Sequence, residues 1–151
     1  MSKQETIQKA ISLFDEGYAC SQAILLAFSG GFGMDEEKAK LISLAFGGGM
    51  GRLRQKCGAV TGGFMVLGLA YGSTDPRDMD TKLAAYEKVR NLNQMFEDIY
   101  GTSNCAELLQ KYATESESAE GAHHKTICRK VVGDTARLLY DMLHDKDIQE
   151  T

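Results

Sequence analysis

The sequence predicts an all-α fold: a helical bundle of six or seven helices with a central glycine-rich loop and a buried helix. Apolar residues recur three and four positions apart through most of the 151 residues, a spacing that places them on one face of a helix. No segment has the two-residue alternation of a half-buried strand, and the chain contains a single proline. Because no repeat or linker divides the chain, we expect one domain over residues 1–151.

Three helices are predicted before the centre of the chain. The first covers residues 4–16 and ends at Gly17, and the second begins near Ala19 and ends at the glycine pair 30–31. Asp35 is the predicted N-cap of the third helix. The apolar positions of this third helix lead into the central loop: Leu41, Ile42, Ala45 and Phe46.

The central stretch, residues 45–72, holds nine of the sixteen glycines. Four of them form a predicted loop that adopts backbone angles closed to other residues and lets another group approach closely: Gly47, Gly48, Gly49 and Gly51. Three basic residues follow, and Cys57 then opens an apolar helix. Within that helix Gly58, Gly62 and Gly68 leave a ridge that permits close helix crossing, inside the bundle or across a two-fold interface. On this basis we expect a homodimer.

The second half of the chain is predicted to contain three more helices. Pro76 takes the first position of the longest one, which ends at Gly101. One of residues 102–104 caps a shorter helix, and the last helix begins near Thr126. Residues 113–125 are polar and are predicted to form an exposed loop.

Charge and hydropathy argue against several classes of protein. The net charge is −4 and the only basic cluster is short, which argues against a nucleic-acid partner. The N-terminal residues lack the apolar core of a signal peptide, and residues 57–72 are too short and too rich in glycine to span a bilayer. We therefore expect a cytoplasmic protein without a membrane partner. His123 and His124 lie in the polar loop and are expected on the surface.

The cysteines share a position relative to the predicted helices. Each stands near the start of a different helix, and the residues three and four positions further on belong to the apolar face of that helix; they are Cys20, Cys57, Cys105 and Cys128. The four thiols are thus expected to point inward and to meet if the helix starts converge. Free N–H groups at a helix start stabilise a thiolate, and basic neighbours add to this effect. Cys57, which follows Arg52, Arg54 and Lys56, is therefore predicted to have the lowest pKa and to be the reactive cysteine.

A simpler interpretation competes with this one. Free cysteine is among the most buried residue types and often packs as a small apolar side chain. The chain contains no C-x-x-C pair, the spacing found in most zinc ribbons and thioredoxin-like motifs. Spacing alone therefore leaves inert packing and a metal or redox site both open.

The run Cys57-Gly58-Ala59-Val60-Thr61-Gly62 resembles the signature of the redox-active protein family named C_GCAxxG_C_C. The order of the cysteines, one before the signature and two after it, is similar as well, although the family name writes the first two letters as Gly-Cys and this chain has Cys-Gly. The segments GYACSQAILLAF and FGGGMGRLRQKCGAVTGGFMVLGLAYG extend the likeness over the N-terminal half. The resemblance implies a redox role for this protein. It also implies that family members often accompany oxidoreductases or transporters, that some carry selenocysteine, and that related domains occur with an iron centre.

Two forms of redox site remain open at this point. In the first, all four cysteine thiolates bind an iron-sulfur cluster or another metal for electron transfer, and Gly47, Gly48, Gly49 and Gly58 supply backbone contacts to the cofactor. In the second, Cys57 is a nucleophile that Cys20 resolves, so that a dithiol and a disulfide interconvert. Either form requires a redox partner protein. The remaining alternative is a helical module without catalytic activity, in which the cysteines form a structural metal site or pack in the core.

Overall fold

A computed structural model describes residues 1–113 and 126–144, and over these residues the chain folds into helices without a β-strand. Seven helices have eight residues or more, and α4 is a four-residue turn in the central loop. In chain order they are α1 (Lys3–Asp15), α2 (Cys20–Ser29), α3 (Glu36–Leu44), α4 (Gly47–Met50), α5 (Gly58–Tyr71), α6 (Met79–Tyr100), α7 (Cys105–Tyr112) and α8 (Thr126–His144). The predicted all-α bundle is confirmed. The predicted polar loop beyond Ala113, with His123 and His124, lies outside the described residues.

Helix α2 forms the centre of the bundle. Nine of its ten residues are buried, and α1, α3, α5 and α8 all pack against it. The closest approach is made by α5: a Cβ atom on Gly62 would lie 2.7 Å from the Ser21 carbonyl oxygen and 3.2 Å from Ile24 Cβ. Two glycines of the predicted ridge, Gly58 and Gly62, are therefore used inside the bundle. Gly68 instead faces open space, with nothing within 4 Å of a Cβ placed there.

Side-chain caps explain where several helices begin. Asp35 caps α3 as predicted, because its carboxylate accepts a hydrogen bond from the Lys38 N–H at 2.9 Å. The predicted place of Pro76 is wrong: α6 begins three residues later, where the Asp78 carboxylate accepts from the Thr81 N–H at 3.1 Å. Pro76 lies in the turn before this cap.

The end of α2 and the exposed face of α3 also differ from the prediction. Glycines 30 and 31 continue α2 into a short 3-10 turn, and the chain reverses at Gly33, which has φ of +71°. In α3 the predicted apolar positions Leu41 and Ile42 are exposed. Ser43 is buried instead: its hydroxyl donates to the Ala39 carbonyl at 2.6 Å, and its carbonyl accepts from the Ser21 hydroxyl at 2.7 Å.

No helix among the described residues combines the length and the apolar character needed to cross a bilayer.

Candidate thiol site

The structure brings the four predicted cysteines to the wall of one cavity of about 430 Å³. Each comes from the start of a different helix: Cys20 is the first residue of α2, Cys57 is the N-cap of α5, Cys105 is the first residue of α7, and Cys128 is the third residue of α8. All four are free thiols. Cys57 is buried, with 5% of its surface exposed, and the other three are partly exposed. The common cavity is the geometric basis for treating the cysteines as one site.

The central loop turns in an unusual way beside these cysteines. From Gly48 to Arg52 every residue has a positive φ, between 59° and 71°, and Arg54 has φ of 59°. Hydrogen bonds hold the loop in place, such as the one from the Gln55 N–H to the Gly49 carbonyl at 2.9 Å. Met50, Arg52 and Arg54 are strained, because side chains disfavour left-handed backbone by about 1–3 kcal/mol each.

The close approach predicted for the glycines is confirmed at two points. A Cβ on Gly47 would lie 2.6 Å from Ala19 Cβ, next to the start of α2. A Cβ on Gly49 would lie 2.6 Å from Cys105 Cβ, at the start of α7. What comes near this backbone within the described residues is thus the pair of helix starts that carry Cys20 and Cys105.

The Cys20 sulfur is surrounded by hydrogen-bond donors. Its pKa is lowered from 9.0 to about 7, first by the hydrogen bond with the Cys57 thiol and then by the backbone N–H groups of Gly48, Ser21 and Ala59. These donors together outweigh burial, which raises the pKa of a thiol. Because they belong to three separate stretches of chain, only the folded protein can assemble them around Cys20.

The pKa of Cys57 is shifted in the opposite direction, well above 9.0. The hydrogen bond with Cys20 is the largest cause and burial is the second. The prediction that Cys57 has the lowest pKa is therefore wrong. One reason is the placement of the basic side chains: Lys56 Nζ is bonded to Asn93 Oδ1 and Ser103 Oγ, each at 2.7 Å.

Cys105 is held by the same loop. Its backbone N–H donates to the Gln55 carbonyl at 2.6 Å, and Arg54 Nη1 lies 3.7 Å from its sulfur. The Cys57 N–H donates in turn to the Ser103 carbonyl at 2.8 Å. The segment 54–57 and the turn before α7 thus fix each other, and with them the positions of Cys57 and Cys105.

A polar network fastens these two segments to α6, and sequence reasoning missed it. Besides Lys56, the network contains Ser103 Oγ, which lies 3.0 Å from Asn93 Oδ1 and 2.9 Å from Glu97 Oε2. Asn93 and Glu97 are four residues apart and hence on one face of α6. Asn93 and Glu97 each follow a buried residue of α6, Leu92 and Phe96, and this spacing was a signal that both polar residues lie near the core. Their partners lie on segments whose proximity to α6 cannot be read from the sequence.

The four thiols do not stand in the arrangement that a metal centre needs. Within residues 1–113 and 126–144, no three His, Cys, Asp or Glu side chains are placed so that they can bind one metal ion. The donor set has the chemistry of a metal or iron-sulfur site, whereas its present geometry does not fit one.

Comparison with protein families gives one match. Residues 18–142, which include all four cysteines, match the family described as "Putative redox-active protein (C_GCAxxG_C_C)". The chain belongs to this family. Neither the curated proteins nor the solved structures contain a match to the chain. For this C_GCAxxG_C_C protein, the family description and the shared cavity both direct attention to the cysteines.

Proposed function

We propose that this protein is a thiol-disulfide oxidoreductase in which Cys20 is the attacking thiolate and Cys57 is the resolving thiol. The observation that carries the proposal is the placement of the two thiols together: the Cys20 sulfur lies 2.6 Å from where a Cβ on Gly58 would stand, next to Cys57, and the contact between the thiols lowers the pKa of Cys20 and raises the pKa of Cys57. The roles are the reverse of those predicted from the sequence, and the pair of residues is the same.

The first step uses the Cys20 thiolate, which faces the cavity and is partly exposed. Its sulfur attacks one sulfur of a disulfide substrate, forms a mixed disulfide with it, and releases the other half of the substrate as a thiolate. A pKa of about 7 leaves a large thiolate fraction at neutral pH without removing the nucleophilicity of the sulfur.

The second step uses the buried Cys57 thiol. Cys57 passes its proton to the departing thiolate, and its sulfur attacks Cys20, which forms a Cys20–Cys57 disulfide and releases the second half of the substrate. The substrate thereby gains two electrons from the protein and one proton from Cys57, and its second half takes a proton from water, which received the Cys20 proton when the thiolate formed. A high pKa suits this role because Cys57 stays protonated, and does not compete for substrate, until the mixed disulfide has formed.

Turnover needs a reductant for the Cys20–Cys57 disulfide. We assign this role to a partner protein with a dithiol of its own, in a reducing compartment such as the cytoplasm. This disulfide exchange is the same two steps in reverse, so it needs no further group in the cavity.

An electron-transfer centre bound by all four cysteines is the second candidate, because the four thiols line one cavity. Like the Cys20–Cys57 disulfide, it would require thiols to move closer together than they are in this structure. Protein purified without air distinguishes the candidates: visible absorption bands with matching iron and acid-labile sulfide support the cluster, and a colourless protein that also fails reconstitution supports the dithiol.

The dithiol roles are tested by trapping the mixed disulfide. After exposure to a small disulfide, Cys57→Ser protein should accumulate an adduct on Cys20, identified by peptide mass, whereas Cys20→Ser protein should form no adduct on Cys57. Cys128→Ser serves as the matched control and should still form the Cys20–Cys57 disulfide. An adduct on Cys57 in the Cys20→Ser protein, at a rate equal to that of Cys20, contradicts the assignment, and the absence of any cysteine-specific reaction supports a module without catalytic activity.

A further inference from the structure

The exposed part of the cavity wall lies in one segment of the chain. Most of the described residues that line the thiol cavity are buried or half-buried, and the exposed ones are Leu44, Gly51 and Arg52. All three fall in residues 44–52, which join the end of α3 to the central loop. The cavity therefore opens beside this segment.

Large apolar side chains stand in solvent at this opening. Three are on the outward side of α3, opposite the buried Ala39 and Ser43, and the fourth is at the tip of the central loop. We call them the rim: Leu41, 68% exposed, Ile42, 52%, Leu44, 56%, and Leu53, 71%. Leu44 belongs both to the rim and to the cavity wall, so the rim is continuous with the thiol site.

The loop that carries Leu53 is folded back against the end of α3. A Cβ on Gly51 would lie 3.7 Å from the Ala45 carbonyl oxygen, and the Leu53 N–H donates to the Met50 carbonyl at 3.0 Å. The residues on both sides of Leu53 have left-handed backbone, with φ of 64° at Arg52 and 59° at Arg54. Strain of this kind is common where a protein contacts a ligand or partner. The loop thus accepts strain and still leaves an apolar side chain in solvent, which indicates a contact surface.

The size of the rim favours a transient protein contact over a permanent one. At these exposed fractions the four side chains present about 450 Å² of mainly apolar surface, a large patch for a single chain. A stable interface buries about 800 Å² on each partner, whereas redox proteins that meet briefly bury less. The rim is therefore too small to hold two copies of this chain together.

The chain itself offers little that could cover the rim. Residues 114–125 and 145–151, which the structure does not describe, contain one large aliphatic residue between them, Ile148. Polar segments of this composition do not match an apolar surface. The occupant that remains is a separate protein.

We propose, on the basis of the oxidoreductase function above, that the rim is the docking surface for the partner protein that reduces the Cys20–Cys57 disulfide, and that apolar side chains flank the dithiol of this partner. A sulfur of the partner has to come within bonding distance of the Cys20 sulfur, so the partner has to meet the edge where the cavity opens. Burial of apolar surface stabilises this encounter, and its small area lets the partner leave after exchange.

The exchange at the docked surface has two steps. A thiolate of the partner attacks the Cys20 sulfur, and Cys57 leaves as a thiolate that takes a proton from water. The second thiol of the partner loses its proton to water, attacks the partner sulfur of the mixed disulfide, and releases Cys20 as a thiolate. Two electrons thus pass to the protein, and the dithiol of the partner becomes a disulfide.

Two synthetic peptide dithiols test the apolar contact. Both contain the sequence Cys-Gly-Gly-Cys, which is flanked by leucines in the apolar peptide and by serines in the polar peptide. The rate at which each peptide reduces the Cys20–Cys57 disulfide is followed by peptide mass and divided by its rate with bis(2-hydroxyethyl) disulfide. We expect the apolar peptide to have the higher normalised rate, by about tenfold, as partial burial of one leucine side chain provides.

Leucine variants assign this preference to the rim. Leu41→Ser and Leu53→Ser should each lower the ratio of the apolar to the polar rate by about threefold or more. Leu83→Ser is the matched control, because Leu83 is 55% exposed on α6 and does not line the cavity. It should leave the ratio as it is. Because the readout is a ratio, it does not depend on the amount of folded protein.

The outcomes separate this inference from the function on which it rests. Equal normalised rates for the two peptides, with the disulfide still reduced, overturn the docking surface and leave the oxidoreductase intact. An apolar preference that persists in both Leu41→Ser and Leu53→Ser overturns the assignment to the rim. A dimer mass in light scattering that falls to one chain in Leu53→Ser assigns the rim to a second copy and also overturns the proposal. If no Cys20–Cys57 disulfide forms, or if neither the peptides nor dithiothreitol reduce it, both proposals are wrong.

Discussion

Replacing Gly62 by alanine measures how closely α5 packs on α2. The new Cβ would lie 2.7 Å from the Ser21 carbonyl oxygen, and ordinary contact begins at 3.4 Å, so the two helices must separate by about 0.7 Å at this point. The obstacle is backbone of the buried central helix, which has little freedom to move. Overpacking of this kind costs about 1–3 kcal/mol, and the better helix propensity of alanine returns about 0.5–1 kcal/mol.

We therefore expect Gly62→Ala to lower the free energy of unfolding by about 1–2 kcal/mol, or Tm by about 2–8 °C for a chain of this length. Urea and thermal unfolding followed by circular dichroism provide the measurement. Gly68→Ala is the matched control in the same helix, because nothing lies within 4 Å of its Cβ. It should raise the stability by about 0.5–1 kcal/mol through helix propensity alone.

The result that refutes this reasoning is a Gly62→Ala protein as stable as the wild type, or a Gly68→Ala protein that loses as much stability as Gly62→Ala. The control also tests the predicted homodimer. If the Gly68 face forms a two-fold interface, Gly68→Ala should lower the mass measured by light scattering. A mass of one chain for the wild type at micromolar concentration removes the dimer altogether.

Two further predictions concern the thiols. The rate of Cys20 alkylation should rise with pH through about 7 and level off above it, because the thiolate is present above the lowered pKa. Cys57→Ala should move the midpoint of this rise up toward 9.0. A wild-type midpoint near 9.0 contradicts the arrangement of donors around Cys20. Lys56→Met removes two hydrogen bonds of 2.7 Å and leaves the buried Ser103 hydroxyl without this partner. It should lower the free energy of unfolding by about 1–3 kcal/mol. It should also raise the pH midpoint of Cys20 alkylation, because Cys57 is held less firmly. Lys82→Met, at an exposed position of α6, should change neither value, and an unchanged midpoint in Lys56→Met shows that the network supports the fold alone.

The part of the fold that the sequence predicts rests on local chemistry. Periodicity and glycine stops located α1, and Asp35 acted as the predicted cap because the cap hydrogen bond lies within one turn of helix. Pro76 was misplaced for a related reason. Proline suits the first turn of a helix, but Asp78, two residues later, caps the helix with its side chain. Residue propensities do not tell which of two competing start signals a helix will use.

The site was predictable in its membership and not in its chemistry. Four thiols at helix starts on apolar faces pointed to one common place, and the cavity contains all four. The prediction of the lowest pKa at Cys57 was wrong because basic residues close in sequence were taken to be close to its sulfur in space. Of the groups that lower the pKa of Cys20, the largest is Cys57, and it, Gly48 and Ala59 are distant in sequence and are brought together only by tertiary structure; Ser21 is the local one.

The dispersed origin of those donors has a consequence for the life of the protein in the cell. In an unfolded or partly synthesised chain, Cys20 has none of the contacts to Gly48, Cys57 and Ala59, and its pKa returns toward 9.0. In unfolded or nascent molecules Cys20 therefore reacts slowly at neutral pH and forms few unintended disulfides. Labelling of Cys20 near neutral pH should therefore be faster in folded molecules than in unfolded ones.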